Sequence, residues 1–108
     1  MKTEYKNKQN GLHIYLQGEI DHHTAKPLCE QIDTKLAIFK PHTVFLDFAG
    51  VTFMDSSGLA VVAGRKRICD LIKSKIYITN ISGYPEKILR LSGADKLVEF
   101  WEDNNENR

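Results

Sequence analysis

Cysteine is scarce: only Cys29 and Cys69 occur in 108 residues, each inside an apolar-periodic segment. A secreted disulfide scaffold carries more, and a zinc site shows close Cys pairs, so both thiols are expected to be free and buried. Charge excess is lacking as well. Fifteen Lys and Arg stand against fourteen Asp and Glu, and a net charge of +1 provides no long-range field to gather nucleic acid or an anionic membrane. The longest apolar run, residues 59–63, falls far short of the roughly 20 residues that span a bilayer. The first ten residues are polar and lack the apolar centre of a secretory leader, which predicts a soluble, cytoplasmic chain. No G-x-G-x-x-G follows the early strand and no G-x-x-x-x-G-K-[ST] occurs anywhere, so no bound nucleotide cofactor is expected. No internal repeat or low-complexity linker interrupts the 12.3 kDa chain, and a single domain over residues 1–108 is predicted, with 102–108 a polar, frayed tail.

What the sequence does contain is a strong alternation of strand and helix patterns. A polar edge strand in the first ten residues meets Asn10-Gly11, read as a hairpin turn. Leu12, Ile14, Leu16 and Ile20 then share one face of a strand, with His13, Tyr15, Gln17 and Glu19 on the other. Thr24 reads as the N-cap of a helix whose apolar stripe is Ala25, Leu28, Cys29, Ile32 and Leu36, with Pro27 in its first turn. Thr43 to Phe48 is a second strand, and Ala49-Gly50 is expected to turn the chain into Val51-Thr52-Phe53-Met54. A helix is predicted from the Asp55-Ser56-Ser57-Gly58 segment towards Ile72, with Lys66, Arg67 and Lys73 at its basic end. Ile76 to Thr79 is a third core strand, Pro85 opens a short helix stopped by Gly93, and Leu97 to Trp101 is a last strand. Such alternation means crossover connections and a largely parallel sheet. The one-sided alternation of residues 12–20 predicts helices mainly on one face, leaving the other partly wet.

Four kinds of chemistry can be weighed on these residues. A nucleophile elbow requires G-x-S-x-G, but Phe53-Met54-Asp55-Ser56-Ser57-Gly58 lacks the first glycine and no histidine is aimed at either serine, so a serine hydrolase is disfavoured. Asp21-His22-His23 does not make a closed metal shell, because adjacent loop side chains diverge, and no metal is predicted. Arg65-Lys66-Arg67 reads as a solvated helix face without aromatic interleaving, against nucleic-acid binding. The serine pair has two readings. One is capping of the helix start by Ser56 or Ser57; the other is a hydroxyl displayed there beside the apolar Met54, Leu59, Ala60, Val61 and Val62, offered to a partner. Physical reasoning alone leaves these about even.

The blocks Gly18-Glu19-Ile20-Asp21-His22-His23-Thr24 and Phe53-Met54-Asp55-Ser56-Ser57-Gly58-Leu59, with Gly64-Arg65 beyond, break the tie. In their order and separation they resemble the STAS-domain anti-sigma factor antagonists of the sporulation sigma-F type, over essentially the whole chain to about Trp101. The resemblance implies an α/β STAS fold, a mixed but largely parallel four- to five-stranded sheet with helices mainly on one face. It also implies a function without catalysis. The unmodified protein binds an anti-sigma factor serine kinase and so releases a sigma factor; the kinase phosphorylates the first serine of D-S-S-G, here Ser56; and a PP2C-like serine phosphatase reverses this. The implied partner-binding residues are Asp21, His22, Asp55, Ser56, Ser57, Gly58 and Leu59, with the Asp21 carboxylate expected to be exposed rather than structural. A phosphate on Ser56 is expected to be welcomed by exposed N–H groups at the helix start. A STAS regulator serving a general stress-response switch kinase is the alternative within the same fold.

Overall fold

The computed structural model describes residues 1–101. Strand β1 (Lys2–Lys8) pairs antiparallel with β2 (Gly11–Ile20), and β3 (Thr43–Met54), β4 (Lys75–Thr79) and β5 (Glu99–Trp101) follow in parallel, giving the spatial order β1-β2-β3-β4-β5. Helices α1 (Ala25–Phe39), α2 (Ser57–Leu71) and α3 (Gly83–Leu91) make the three crossovers. Parallel crossovers are right-handed, and strands laid down in one direction across a sheet therefore put every crossover helix on the same face. The predicted architecture is the one observed.

That face holds the core. Leu12, Ile14, Leu16 and Ile20 of β2 meet Leu28, Ile32 and Leu36 of α1, while Val44, Leu46 and Met54 of β3 lie against Val61, Val62 and Cys69 of α2. The α1 stripe and the β2 alternation are both as the periodicity predicts. Burial pushes the Cys69 thiol up to about 11, so it is a core side chain rather than a reactive one; Cys29 is also free but only half-buried.

The opposite face is partly wet, as expected, and partly panelled by rings. His13, Phe45 and Tyr77 are neighbours in register, their rings 4.5 and 5.6 Å apart, and the Trp101 ring lies 5.4 Å from Phe45. His13 and Phe45 are buried by this ladder, whereas Tyr15 and Tyr77 are half-buried and Trp101 is exposed. The two rims of the sheet differ in length and in character: β1 shows Lys2, Glu4, Lys6 and Lys8 to solvent, and β5 has only three residues, Glu99, Phe100 and Trp101.

Several sequence expectations shift at element ends. The hairpin turn is Gln9-Asn10, because Lys8 already pairs with Gly11; Gly11 opens β2 at φ +143°, where a Cβ would press on the Thr43 carbonyl. No turn separates residues 43–48 from 51–54. Strand β3 runs through Ala49-Gly50, and shifts in its register with β2 between Tyr15 and Gln17 and between Gly18 and Glu19 absorb the irregularity. Gly50 lies so near the Leu16 carbonyl that a Cβ would come within 2.8 Å of it. The expected last strand shortens because Val98 donates back to the Ala94 carbonyl in the 3₁₀ turn over Ala94–Lys96. The last turn of α2 carries no basic residue: Lys66 pairs with Asp70 on the helix surface, and Lys73 lies past its end. The tail expected to fray, 102–108, lies outside the described residues.

Candidate functional site at the carboxyl ends of the central strands

Because β2, β3 and β4 are parallel, the loops that follow them emerge at one end of the sheet, the end at which open α/β sheets bind their ligands. The first two loops are joined through the backbone: the Asp55 N–H donates to the Ile20 carbonyl at 3.1 Å, extending the Ile20–Met54 pairing. The Asp21 and Ser56 segments, 35 positions apart in sequence, are thus held side by side.

In the β2–α1 loop the roles of Asp21 and Thr24 differ from expectation. Asp21 Oδ1 accepts from the His23 N–H at 2.9 Å and the Thr24 N–H at 3.0 Å. The Thr24 hydroxyl turns back, accepting from the Asp21 N–H and donating to the Glu19 carbonyl, each at 2.9 Å, and makes no cap bond to α1. Thr24 already has near-helical angles, φ −92° and ψ −20°, which deny its side chain the reach of an N-cap. The Asp21 carboxylate is therefore structural, holding two backbone N–H groups of its own loop, which corrects the expectation that it is exposed rather than structural. The Thr24 N–H, with the His23 N–H adding to it, holds the Asp21 carboxyl below its ordinary 3.8 against the opposing effect of burial. His22 and His23 are exposed, with ring centroids 4.0 Å apart.

The depressed Asp21 ionisation has a defined sign. A folded-state value below the unfolded one stabilises the fold fully above the unfolded value, and that contribution is lost as pH falls through the lower folded value. Asp21→Asn is accordingly expected to lower the melting temperature at neutral pH, with the gap to the parent chain narrowing by about pH 3. Paired thermal melts at the two pH values check this; a gap that does not change with pH would show that the carboxylate charge is immaterial to the loop.

The β3–α2 junction removes the capping reading of the serine pair. Neither serine caps the helix. Asp55 does so: its Oδ1 accepts from the Ser57 N–H at 2.8 Å, and its carbonyl accepts from the Gly58 N–H at 3.0 Å. The Ser56 carbonyl takes the Leu59 N–H at 3.2 Å. Ser56 itself sits at φ −64° and ψ −13°, already helical, so its side chain projects outward and is exposed, whereas Ser57 is half-buried. With Asp55 in the capping role, the Ser56 hydroxyl is displayed. Along the same side of α2 lie exposed Ala60 and half-buried Ala63, both small, followed by the long, exposed Arg67. Gly58 is buried on Met54, and Leu59 is half-buried against the core. The apolar first turns thus face mostly inward.

None of the described histidines serves the serines. His13 bonds Asn10, His42 lies against Thr43, and the rings of His22 and His23 face each other. Among the described residues no three His, Cys, Asp or Glu side chains converge to hold a metal ion.

One residue of α2 was misread from sequence. Arg65, expected on a solvated basic face, is buried, and its Nε lies 2.8 Å from Asp33 Oδ1 of α1. Its Nη1 also reaches the Val61 carbonyl at 3.4 Å. Burial raises the Asp33 carboxyl above its ordinary value, and the Arg65 guanidinium opposes that rise. The pair ties α1 to α2 near the middle of both helices. No local pattern joins positions 33 and 65, although Gly64-Arg65 had already stood out in the family resemblance.

The family model described as the STAS domain matches residues 2–107. The chain belongs to the STAS-domain family. Among curated relatives, this STAS chain is 27% identical to an anti-sigma F factor antagonist of Paenibacillus polymyxa over 107 residues, which is 99% of the chain and 91% of that relative. Among solved structures, the unphosphorylated form of the anti-sigma factor antagonist SpoIIAA superposes at a TM-score of 0.75 with 27% identity, over 95% of this chain and 90% of that one. The phosphorylated form of the Bacillus cell fate determinant SpoIIAA superposes at 0.69 with 25% identity, over 95% and 94%. The five-stranded mixed sheet and its three helices are thus those of the SpoIIAA STAS fold.

Proposed function

We propose that this STAS domain is an anti-sigma factor antagonist that acts by binding rather than catalysis, in the cytoplasm, on an anti-sigma factor serine kinase. In its unmodified state it occupies the kinase and frees the sigma factor. Phosphorylation on Ser56 ends the interaction, and a PP2C-like serine phosphatase restores it. Ser56, Ser57 and the half-buried Leu59 at the start of α2, with Asp55 before them and Asp21 and His22 in the adjoining loop, form the partner-binding surface; Gly58, expected to belong to it, is buried on Met54 and supports that surface from beneath.

The observation that carries this reading is the displaced cap. Asp55 satisfies the helix start, so the exposed Ser56 hydroxyl has no structural duty there and can be modified without unwinding α2. The relatives fit the reading: both SpoIIAA structures and the Paenibacillus polymyxa protein bear names of antagonists or cell-fate determinants, and SpoIIAA exists in both phosphorylation states.

Incubation of the full chain with its cognate kinase and ATP, followed by peptide mass spectrometry, tests the assignment. One phosphate on Ser56, and none on a Ser56→Ala variant, is the expected result. Modification at Ser57 instead, or none at all, overturns it.

A further inference from the structure

The third loop at this end of the sheet, between β4 and α3, carries a feature that the two-loop surface does not use. Phe53, at the end of β3, is 41% exposed, and Tyr84, in the first turn of α3, is 55% exposed. Their rings lie 6.4 Å apart with planes 25° from parallel. Other exposed large apolar side chains are dispersed: Ile38, Leu71 and Leu91 lie towards the far ends of the three helices, and Trp101 ends β5. Isolated apolar side chains on a surface need no explanation, but two stacked aromatic rings left open to water form a contiguous patch of the sort that marks contact sites.

The position of the pair says what meets it. Phe53 pairs with Glu19, whose carbonyl receives the Thr24 hydroxyl, and stands two residues before Asp55. The patch is therefore continuous with the Asp21 and Ser56 loops. The β4–α3 loop is also fixed in place, because Asn80 Nδ2 donates to Asp47 Oδ2 of β3 at 2.8 Å. A tyrosine held on a fixed loop offers a large contact area and a polar tip at small entropic cost, the properties that make tyrosine frequent among the residues dominating an interface.

Building on the function proposed above, we infer that Tyr84, backed by Phe53, is a specificity-determining anchor for the same anti-sigma factor, inserting against an apolar side chain of that partner while the Ser56 helix start docks beside it. The partner's footprint then spans all three loops at the carboxyl ends of the strands. Tyr84 leaves the phosphorylation chemistry to Ser56 and sets how tightly, and to which anti-sigma factor, the chain binds.

Calorimetric titration of the full-length chain with its cognate anti-sigma factor tests this. Tyr84→Ser is expected to weaken binding about tenfold or more, and Tyr84→Phe to stay near the parent value. Leu91→Ser, at the far end of the same helix, is expected to leave binding unchanged. Tyr84 is exposed, so each variant should keep the parent melting temperature, which circular dichroism verifies. If the parent chain binds and Tyr84→Ser binds equally well, the anchor is wrong while the antagonist function stands. An equal loss in Leu91→Ser would also overturn it, by showing that surface apolarity in general drives the contact. Failure of the parent chain to bind would overturn both the anchor and the function on which it rests.

Discussion

Phosphorylation of Ser56 is expected to weaken binding to the anti-sigma factor by two or more orders of magnitude while leaving the fold intact. The phosphate adds a charge of roughly −1.5 to −2 at neutral pH. The sequence suggested that the start of α2 would welcome it through vacant N–H groups. The structure corrects this, because the Ser57 and Gly58 N–H groups are taken by Asp55 and the Leu59 N–H by Ser56. The new charge therefore projects outward, next to the Asp55 carboxylate and near the loop that carries Asp21. Drying such a group at an interface without a matching cation costs several kcal/mol, on the order of the burial penalty for an unpaired ion. Each loss of about 1.4 kcal/mol is tenfold in affinity, so electrostatics alone suffices and no conformational change is required. Ser56→Asp should imitate the effect in part, and Ser56→Ala should bind the partner but never be released. Amide chemical shifts of the modified and unmodified chains check the mechanism. Changes confined to the two loops and the first turn of α2 are expected; shifts spread along β2 and the first half of β3 would refute it.

Gly58→Val should be the most destabilising change available within the site. A Cβ built on Gly58 falls on Met54 Sδ and within 2.7 Å of its Cγ, and Met54 is fully buried in the core. The thioether has no solvent to retreat into, so the added carbons must be accommodated by displaced core side chains. Overpacking of this kind costs about 1–3 kcal/mol, which for a domain near 100 residues is a fall of roughly 5–20 °C in melting temperature. Gly58→Ala should cost less, because alanine regains about 0.5–1 kcal/mol of helix propensity. Gly64, six residues along the same helix, is the comparator. A Cβ there meets nothing within 4 Å, so Gly64→Ala should hold or raise stability by up to about 1 kcal/mol. Thermal melts of the three variants decide the matter. Equal effects at positions 58 and 64 would mean that Met54 yields freely and that Gly58 is not required by packing.

The sequence made the architecture legible because alternation and helical period are strong, local signals. Leu12, Ile14, Leu16 and Ile20 fell on one face as read, and so did Leu28, Ile32 and Leu36 on theirs. The two loops singled out by the Asp21 and Asp55-Ser56-Ser57 blocks do lie side by side in the fold. The division of labour within them was not legible. Thr24 and Ser56 occupy positions where a residue of their type ordinarily caps a helix, yet in each loop an aspartate takes over the backbone donors. That choice depends on φ and ψ a residue or two away, which composition does not encode. Arg65 was misjudged for a different reason. Its charge suggested solvent, but Asp33 waits for it on another helix, and only the packing of α1 against α2 brings the two together. Ala49-Gly50 resembled a turn because small residues permit one, whereas Gly50 is needed for the close approach of β3 to the Leu16 carbonyl.

The lysine-lined rim of β1 and the three-residue rim of β5 have a consequence for how this chain can be recognised at all. Unpaired strand edges are what another polypeptide joins when it extends a sheet, and charge or shortness at the edge discourages such joining. With both rims closed to an incoming strand, neither a partner nor a second copy gains ready purchase through main-chain pairing. On the proposed function, recognition is left to side chains at loop tips and to a helix start, where one esterified hydroxyl would be enough to forbid it. A surface read through a ladder of backbone hydrogen bonds would be far less sensitive to a single added charge. The blunted rims would thereby help to make the proposed interaction erasable.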